Sequence, residues 1–206
     1  MARARQPTHD RRVQKTRQVL YEAFDALIVE KNFDAIAVRE LLERANVGRS
    51  TFYAHYRGKE ELLDGRIHDV IGAPGSASPA AGSDRHERIL SFSLPILDHI
   101  DRHRRTVKST MDRRGQAVLH EHLRRVIAGT IEDALQLDRQ NRQELANGMP
   151  RELLVQYLSS TFVLVLTWWL ESGSRLTPSA ADGLFRALAL PALREALLAR
   201  GETRAR

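Results

Sequence analysis

Residues 38–59 read VRELLERANVGRSTFYAHYRGK, and the spacing of apolar residues in this stretch describes two short helices around a sharp turn. Leu41, Leu42 and Ala45 share one face of a helix over 38–45, while Arg39, Glu40, Glu43 and Arg44 lie outside it. The outer charges alternate in sign, as on a solvated face. Asn46 stands where the chain must turn; after glycine, asparagine tolerates positive φ best, and a turn of about three to four residues is what a helix-turn-helix needs. A second helix is expected over 48–56, with Gly48 able to cap it through backbone alone. Phe52 and Tyr56, four apart, face inward, which turns Arg49, Ser50, Tyr53 and His55 wholly or partly outward. That set offers a long cation able to grip guanine with two hydrogen bonds, hydroxyl and ring donors for phosphates, and a flat ring for thymine methyls. These are the tools of a duplex-DNA reader.

Upstream, Val13, Leu20, Phe24, Leu27 and Ile28 follow helical spacing over 10–31, with Val19 and Ala23 broadening the stripe. The front of this segment carries Arg3, Arg5, Arg11, Arg12, Lys15 and Arg17 against Asp10. Cations at a helix N-terminus oppose the macrodipole, so attraction to phosphate explains the cluster better than helix stability does. Thr16 and Arg17 are the residues here expected to touch a nucleic-acid backbone.

The 206 residues, 42% of them hydrophobic, suffice for one small domain and one larger one. A formal net charge of +6 favours an anionic partner. The chain has no cysteine, which excludes disulfides and thiolate metal sites and fits a reducing, cytoplasmic setting. Its basic N-terminus lacks an apolar core, so no signal peptide is expected. The longest apolar run, FVLVLTWWL at 162–170, falls short of the roughly 20 residues of a membrane span and is expected to be a buried helix.

A fourth helix is expected over 59–71, followed at 72–84 by GAPGSASPAAGSD, whose glycine, proline and serine density marks a flexible loop and a domain boundary. The remainder reads as helix. Ile89, Phe92, Ile96, Leu97 and Ile100 form one stripe, with Pro95 expected to interrupt it. A short helix over 106–111 and a long one over 115–140 should follow, the latter with an apolar face through Leu119, Leu123, Val126, Ile127, Ile131 and Leu135. The helix over 151–171 is apolar nearly all round, so it must be covered on more than one side. Its adjacent Trp168 and Trp169 point roughly 100° apart and cannot share one environment. Thr177 should cap a last helix over 178–200, with Pro178 at its first position and Pro191 bending it.

Residues 12–63 resemble the DNA-binding domain of the TetR family of bacterial transcriptional regulators, above all through the run STFYAHYRGKEELL at 50–63. The resemblance implies an all-α chain: an N-terminal three-helix helix-turn-helix domain with its connecting fourth helix over 1–71, the loop at 72–84, and a helical effector-binding and dimerisation domain over 85–206. It implies that Arg49, Ser50 and Tyr53 read bases, that Thr51, Tyr53, His55 and Lys59 hold the phosphate backbone, and that Phe52 is structural. Two positions depart from the family pattern. Ala37 replaces the usual hydroxyl cap, and Asn46 the turn glycine. The long loop after helix four is a third departure.

The resemblance further implies a homodimer, paired through the last two helices, whose recognition helices stand roughly 34–36 Å apart on a palindromic operator. A small-molecule effector would then relieve repression from within the second domain. From apolar position alone, Phe92, Met111, Leu119, Leu123, Phe162 and Trp168 are candidates to line its pocket, with core packing the alternative for each, and the scarcity of acids on the apolar faces favours a hydrophobic or aromatic ligand. Leu154, Leu158, Val165, Trp169, Leu184, Leu188 and Leu197 are expected at the dimer interface. An architectural or division-control DNA binder without an inducer is the alternative within the same fold. A metal-dependent helical enzyme is a remoter one, resting on His99 with His103 and on His120 with His122. No third ligand of comparable spacing accompanies them, and no phosphate loop or nucleophile elbow appears. The chain is therefore expected to be no enzyme and to need no cofactor or metal.

Overall fold

A computed structural model of the chain describes residues 6–72, 84–110, 113–136, 145 and 148–197. The expected contacts of Arg3, Arg5 and Met111, and all of the expected loop except Gly72 and Asp84, lie outside the described residues. All regular structure among the described residues is helical. Helix α1 spans Gln6–Glu30, α2 Val38–Ala45, α3 Arg49–Tyr53, α4 Lys59–Gly72, α5 Arg85–Ile89, α6 Ser93–Thr110, α7 Arg113–Gln136, α8 Arg151–Glu171 and α9 Pro178–Leu197, with a 3-10 turn at Phe33–Ala35 between α1 and α2.

The chain divides into two compact units. One holds the chain up to Arg66 together with Arg105–Leu119; the other holds Ile67–Arg104 and the chain from His120 onward. The division thus falls inside α4 rather than at the glycine-rich segment.

In the first unit, Leu20, Tyr21, Phe24 and Leu27 of α1, Leu41 and Leu42 of α2, Phe52 of α3 and Leu62 and Leu63 of α4 are buried together with Phe33 and Ile36. Helix α2 ends as its sequence requires. Asn46 takes φ 51° and ψ 46°, its N–H bonds to the Glu43 carbonyl at 3.3 Å, and the Val47 N–H reaches back to the Leu42 carbonyl at 3.0 Å. This paired closure satisfies carbonyls that the helix end would leave open. The C-terminus of α1 is tied to α2 by Lys31 to Glu40 at 2.6 Å and Arg44 to Glu30 at 2.8 Å.

In the second unit the buried set includes Phe92, Ile96 and Leu97 of α6, Leu123, Ile127 and Ile131 of α7, Leu154, Leu158, Phe162 and Trp169 of α8, and Phe185, Ala189 and Leu193 of α9. Pro95 does not interrupt a stripe. It is the third residue of α6, where its missing N–H would have had no helical partner. The chain breaks before it instead, at 90–92, and α6 then absorbs the short helix expected over 106–111. Thr177 caps α9, its hydroxyl accepting the Ala180 N–H at 3.2 Å, and α9 continues through Pro191.

Helix α8 is, among the described residues, the one helix long and apolar enough to cross a membrane; 56% of its most apolar stretch is buried inside the protein. It serves here as a core helix.

Candidate nucleic-acid interface

Helix α3 is only five residues long, and its orientation is fixed by one fully buried ring. Phe52 packs edge-on to Tyr53 at 5.2 Å and tilted to Tyr56 at 5.7 Å between centroids. With Phe52 inside, Arg49, Ser50, Thr51 and Tyr53 are all exposed, Tyr53 to 55%. The helix stops at Tyr53, and Ala54 and His55 form a turn, so His55 is only half-exposed. A cleft of about 370 Å³ runs along the turn between the helices, with Arg39, Glu43, Asn46, Gly48 and Arg49 among its walls. Arg39, treated from sequence as part of a solvated face, therefore shares a surface with Arg49. Gly48 and Ala37 precede their helices with no side-chain cap.

Arg17 is drawn into a cluster around Tyr21. Its Nη2 donates to the Tyr21 hydroxyl at 3.1 Å, and its guanidinium lies 5.7 Å from the Tyr21 ring centre. Tyr56, at the end of the recognition segment, donates its own hydroxyl to Tyr21 at 3.3 Å. Burial, with help from Tyr21, pushes the Tyr56 phenol well above its ordinary value, so it stays a neutral donor. On the other side Arg66 lies 5.3 Å from the Tyr21 ring centre and grips Asp25 with Nε and Nη2, the shortest contact being 2.7 Å. Thr16 is half-buried nearby in the chain. The sequence signal for this cluster was the spacing Arg17, Tyr21, Asp25, which stacks three polar side chains along one strip of α1.

Lys59 requires a correction. Expected at the phosphate backbone, it instead points inward to the 3-10 turn, where Nζ donates to the carbonyls of Phe33 at 2.8 Å, Ile36 at 2.9 Å and Asp34 at 3.0 Å, above the Phe33 ring. An ammonium has three N–H donors. In the chain without DNA all three are used on these carbonyls.

The expected pocket and interface residues of the second unit are redistributed. Phe92 and Phe162 do meet, 5.3 Å apart, but with Phe185 they form a packed three-ring core cluster. Leu123 is buried, whereas Leu119 falls in the first unit. Trp168 is 47% exposed rather than interior, and its neighbour Trp169 is the buried one, its Nε1 donating to the Leu176 carbonyl at 2.9 Å. Leu154, Leu158, Val165 and Trp169 are occupied by the chain's own core and cannot meet a partner. Leu184 and Leu188 are exposed, and Leu197 is half-buried. The outer face of α8 carries residues passed over from sequence: Leu153, Tyr157 and Leu164, exposed in line with Trp168. The Tyr157 hydroxyl donates to the Leu188 carbonyl at 3.1 Å, joining the exposed faces of α8 and α9.

A polar network underlies α9. Buried Asp182 accepts the Ser93 hydroxyl and Arg186 Nε, the latter at 2.6 Å, and Arg186 Nη1 reaches Glu87 at 2.6 Å. Half-buried His120 of α7 lies 3.4 Å from the Thr167 hydroxyl of α8. Burial, and secondarily Arg124, holds its imidazole below the usual histidine range, against a smaller upward pull from Glu171. Among the described residues, no three His, Asp or Glu side chains converge as a metal would need.

Comparison with known proteins adds the following. Residues 20–65 match the family model described as bacterial regulatory proteins, tetR family, and residues 87–188 match a transcriptional regulator C-terminal region. The chain is 42% identical over 59 residues to the HTH-type transcriptional regulator YxbF of Bacillus subtilis (strain 168), an alignment covering 28% of this chain and 16% of that protein. It is 22% identical over 93 residues to YvkB of the same organism, another HTH-type transcriptional regulator, covering 45% and 49%. The matches thus span less than half the length of these two curated relatives. The crystal structure of a TetR family transcription regulator from Marinobacter aquaeolei VT8 superposes with a TM-score of 0.50 over 89% of this chain and 97% of that one, at 20% identity, a likeness of fold.

Proposed function

This chain belongs to the TetR family of bacterial regulatory proteins, and from that premise we propose that it is a sequence-specific DNA-binding transcription regulator that works as a homodimer. The observation that carries this reading is the exposed row Arg49, Ser50, Thr51 and Tyr53 on a helix locked by buried Phe52. In a duplex, Arg49 would address a guanine edge and Tyr53 a thymine methyl or a phosphate, while Ser50, Thr51 and His55 supply hydroxyl and ring donors. Thr16 and Arg17 would hold phosphates from α1. Lys59 contributes to the frame that presents them.

The homodimer would form through Leu153, Tyr157, Leu164 and Trp168 of α8 with Leu184 and Leu188 of α9, because so many large apolar side chains in one exposed band need a cover. Twofold pairing fits a palindromic operator. We read the protein as a cytoplasmic repressor, not an enzyme, released by a small hydrophobic effector bound in the second unit. Such an effector acts only if it binds the DNA-poor conformation more tightly, and DNA must then weaken the effector to the same degree. An architectural binder without an effector is the second reading, favoured by the tight packing of the Phe92, Phe162 and Phe185 cluster.

The test is titration of labelled duplex DNA with purified protein across a range of salt. Binding that falls steeply with salt and is shared by a random duplex and a genomic promoter pool at different strengths supports the reading. No binding to any duplex at low salt would remove it.

A further inference from the structure

The proposed reading leaves Tyr21 without a role, although Arg17, Tyr56 and Arg66 all meet its side chain. Its hydroxyl is met from two directions, by Arg17 Nη2 at 3.1 Å and by the Tyr56 hydroxyl at 3.3 Å. Its ring has Arg17 and Arg66 at 5.7 and 5.3 Å from the centre. The residue itself is only 2% exposed. A tyrosine hydroxyl is not needed to fill an apolar site, since phenylalanine has the same ring. What the oxygen adds is a fixed point between two elements.

Those two elements are the ones that a duplex would touch. Arg17 lies on α1, where a cation is expected to face phosphate, and Tyr56 closes the segment that follows α3, four residues after Phe52. The third neighbour is Gly65 of α4. A Cβ at that position would stand 3.0 Å from the Tyr21 hydroxyl and 3.5 Å from the Tyr56 ring. A helix interior ordinarily favours alanine over glycine by about 1 kcal/mol. Glycine at this position therefore keeps room for the hydroxyl at a cost to the helix.

We propose that Tyr21 is a positioning residue for DNA recognition, its hydroxyl setting the Arg17 guanidinium and the C-terminal end of the recognition segment in one fixed relation, with Gly65 left bare to admit it. This rests on the DNA-binding reading above. Tyr21 touches no DNA itself. Without its oxygen, Arg17 loses the acceptor that aims it and Tyr56 loses its partner, while the ring, its two flanking guanidinium groups and the core remain.

The experiment uses the full-length protein in four forms: wild type, Tyr21→Phe, Gly65→Ala and the double variant. Affinity for a selected operator and for a random duplex is measured over a range of salt, with thermal melts alongside. Tyr21→Phe should lose roughly five- to tenfold in operator affinity, the scale of one hydrogen bond, with a salt slope lower by about one, beside a fall of a few degrees in melting temperature because the buried Tyr56 hydroxyl loses its acceptor. Gly65→Ala should lose affinity by a similar factor because its methyl displaces the hydroxyl. In the Tyr21→Phe background, where there is no oxygen to displace, Gly65→Ala should cost nothing further. A purely structural role would move the melts and leave the affinity of the folded protein unchanged.

Wild-type binding with an unchanged Tyr21→Phe variant would overturn this proposal alone. Additive losses in the double variant would also overturn it, because they would mean that Gly65 and Tyr21 act independently. Absence of wild-type binding would overturn the regulatory reading beneath it.

Discussion

Lys59→Met separates two accounts of the same residue. Methionine keeps an unbranched apolar stem above Phe33 and removes the three donors that now hold the carbonyls of Phe33, Asp34 and Ile36 at 2.8 to 3.0 Å. A hydrogen bond to a charged group contributes about 1.5–3 kcal/mol. Three bonds from one ammonium are not additive, and the Asp34 carbonyl, being the more exposed, can return to water. A total of about 2–4 kcal/mol is therefore expected, most of it from the Phe33 and Ile36 carbonyls. The assay is amide hydrogen exchange over residues 20–66 of the full-length protein. Protection there should fall by about 30- to 1000-fold, given tenfold per 1.4 kcal/mol. Salt dependence of DNA binding by the protein that remains folded should keep its slope. Unchanged protection together with a salt slope lower by about one would refute the reasoning and return Lys59 to the phosphate backbone.

Leu164→Asp, at a position 65% exposed in the single chain, should leave the subunit folded but give a mass near 23.4 kDa by light scattering, where the wild type gives about twice that; a persistent dimer would place the interface elsewhere. Asp182→Ala removes the buried acceptor shared by Ser93 and Arg186 and should cost about 1–3 kcal/mol in denaturant unfolding, because the buried Ser93 hydroxyl and a partly buried guanidinium each lose a partner; a loss well under about 1 kcal/mol would mean that the network is solvated. His120 should make stability fall with acidity. Its folded pKa lies below the unfolded value near 6.5, so the unfolded chain takes up the proton first as pH drops through about 6.5, and stability declines until the folded pKa is passed. His120→Gln should flatten urea-unfolding stability between pH 7.5 and 5.5, and an unchanged slope would exclude His120 as its source.

The helix-turn-helix was legible because its signals are local. Leu41 and Leu42 mark one face of α2, Asn46 marks the turn, and Phe52 four residues before Tyr56 orients α3. Thr177 followed by Pro178 marked the start of α9 in the same way. The inward contacts of Lys59 were not legible because its partners are backbone carbonyls, which any residue carries and no side-chain pattern reveals. Trp168 and Trp169 were legible as a pair in two environments but not as to which lies inside, since α8 is apolar nearly all round and periodicity cannot separate its core face from its outer face. The same ambiguity placed Leu154 and Leu158 at an interface when the exposed band is Leu153, Tyr157 and Leu164. Pro95 was read as a kink because its effect depends on where the helix begins; as the third residue of α6 it disturbs nothing. The role of Tyr21 depends on contacts 35 and 44 residues away in sequence, with Tyr56 and Gly65, which no short motif encodes.

The most direct test of the central claim is selection of bound sequences from random duplex DNA by the purified protein at near-physiological salt, with Arg49→Ala in parallel. A two-fold symmetric motif for the wild type is expected, with operator affinity reduced in the variant by roughly 1–3 kcal/mol and one pair of symmetry-related positions relaxed. Enrichment of no motif by the wild type, or an identical motif from Arg49→Ala, would contradict the assignment of base reading to α3.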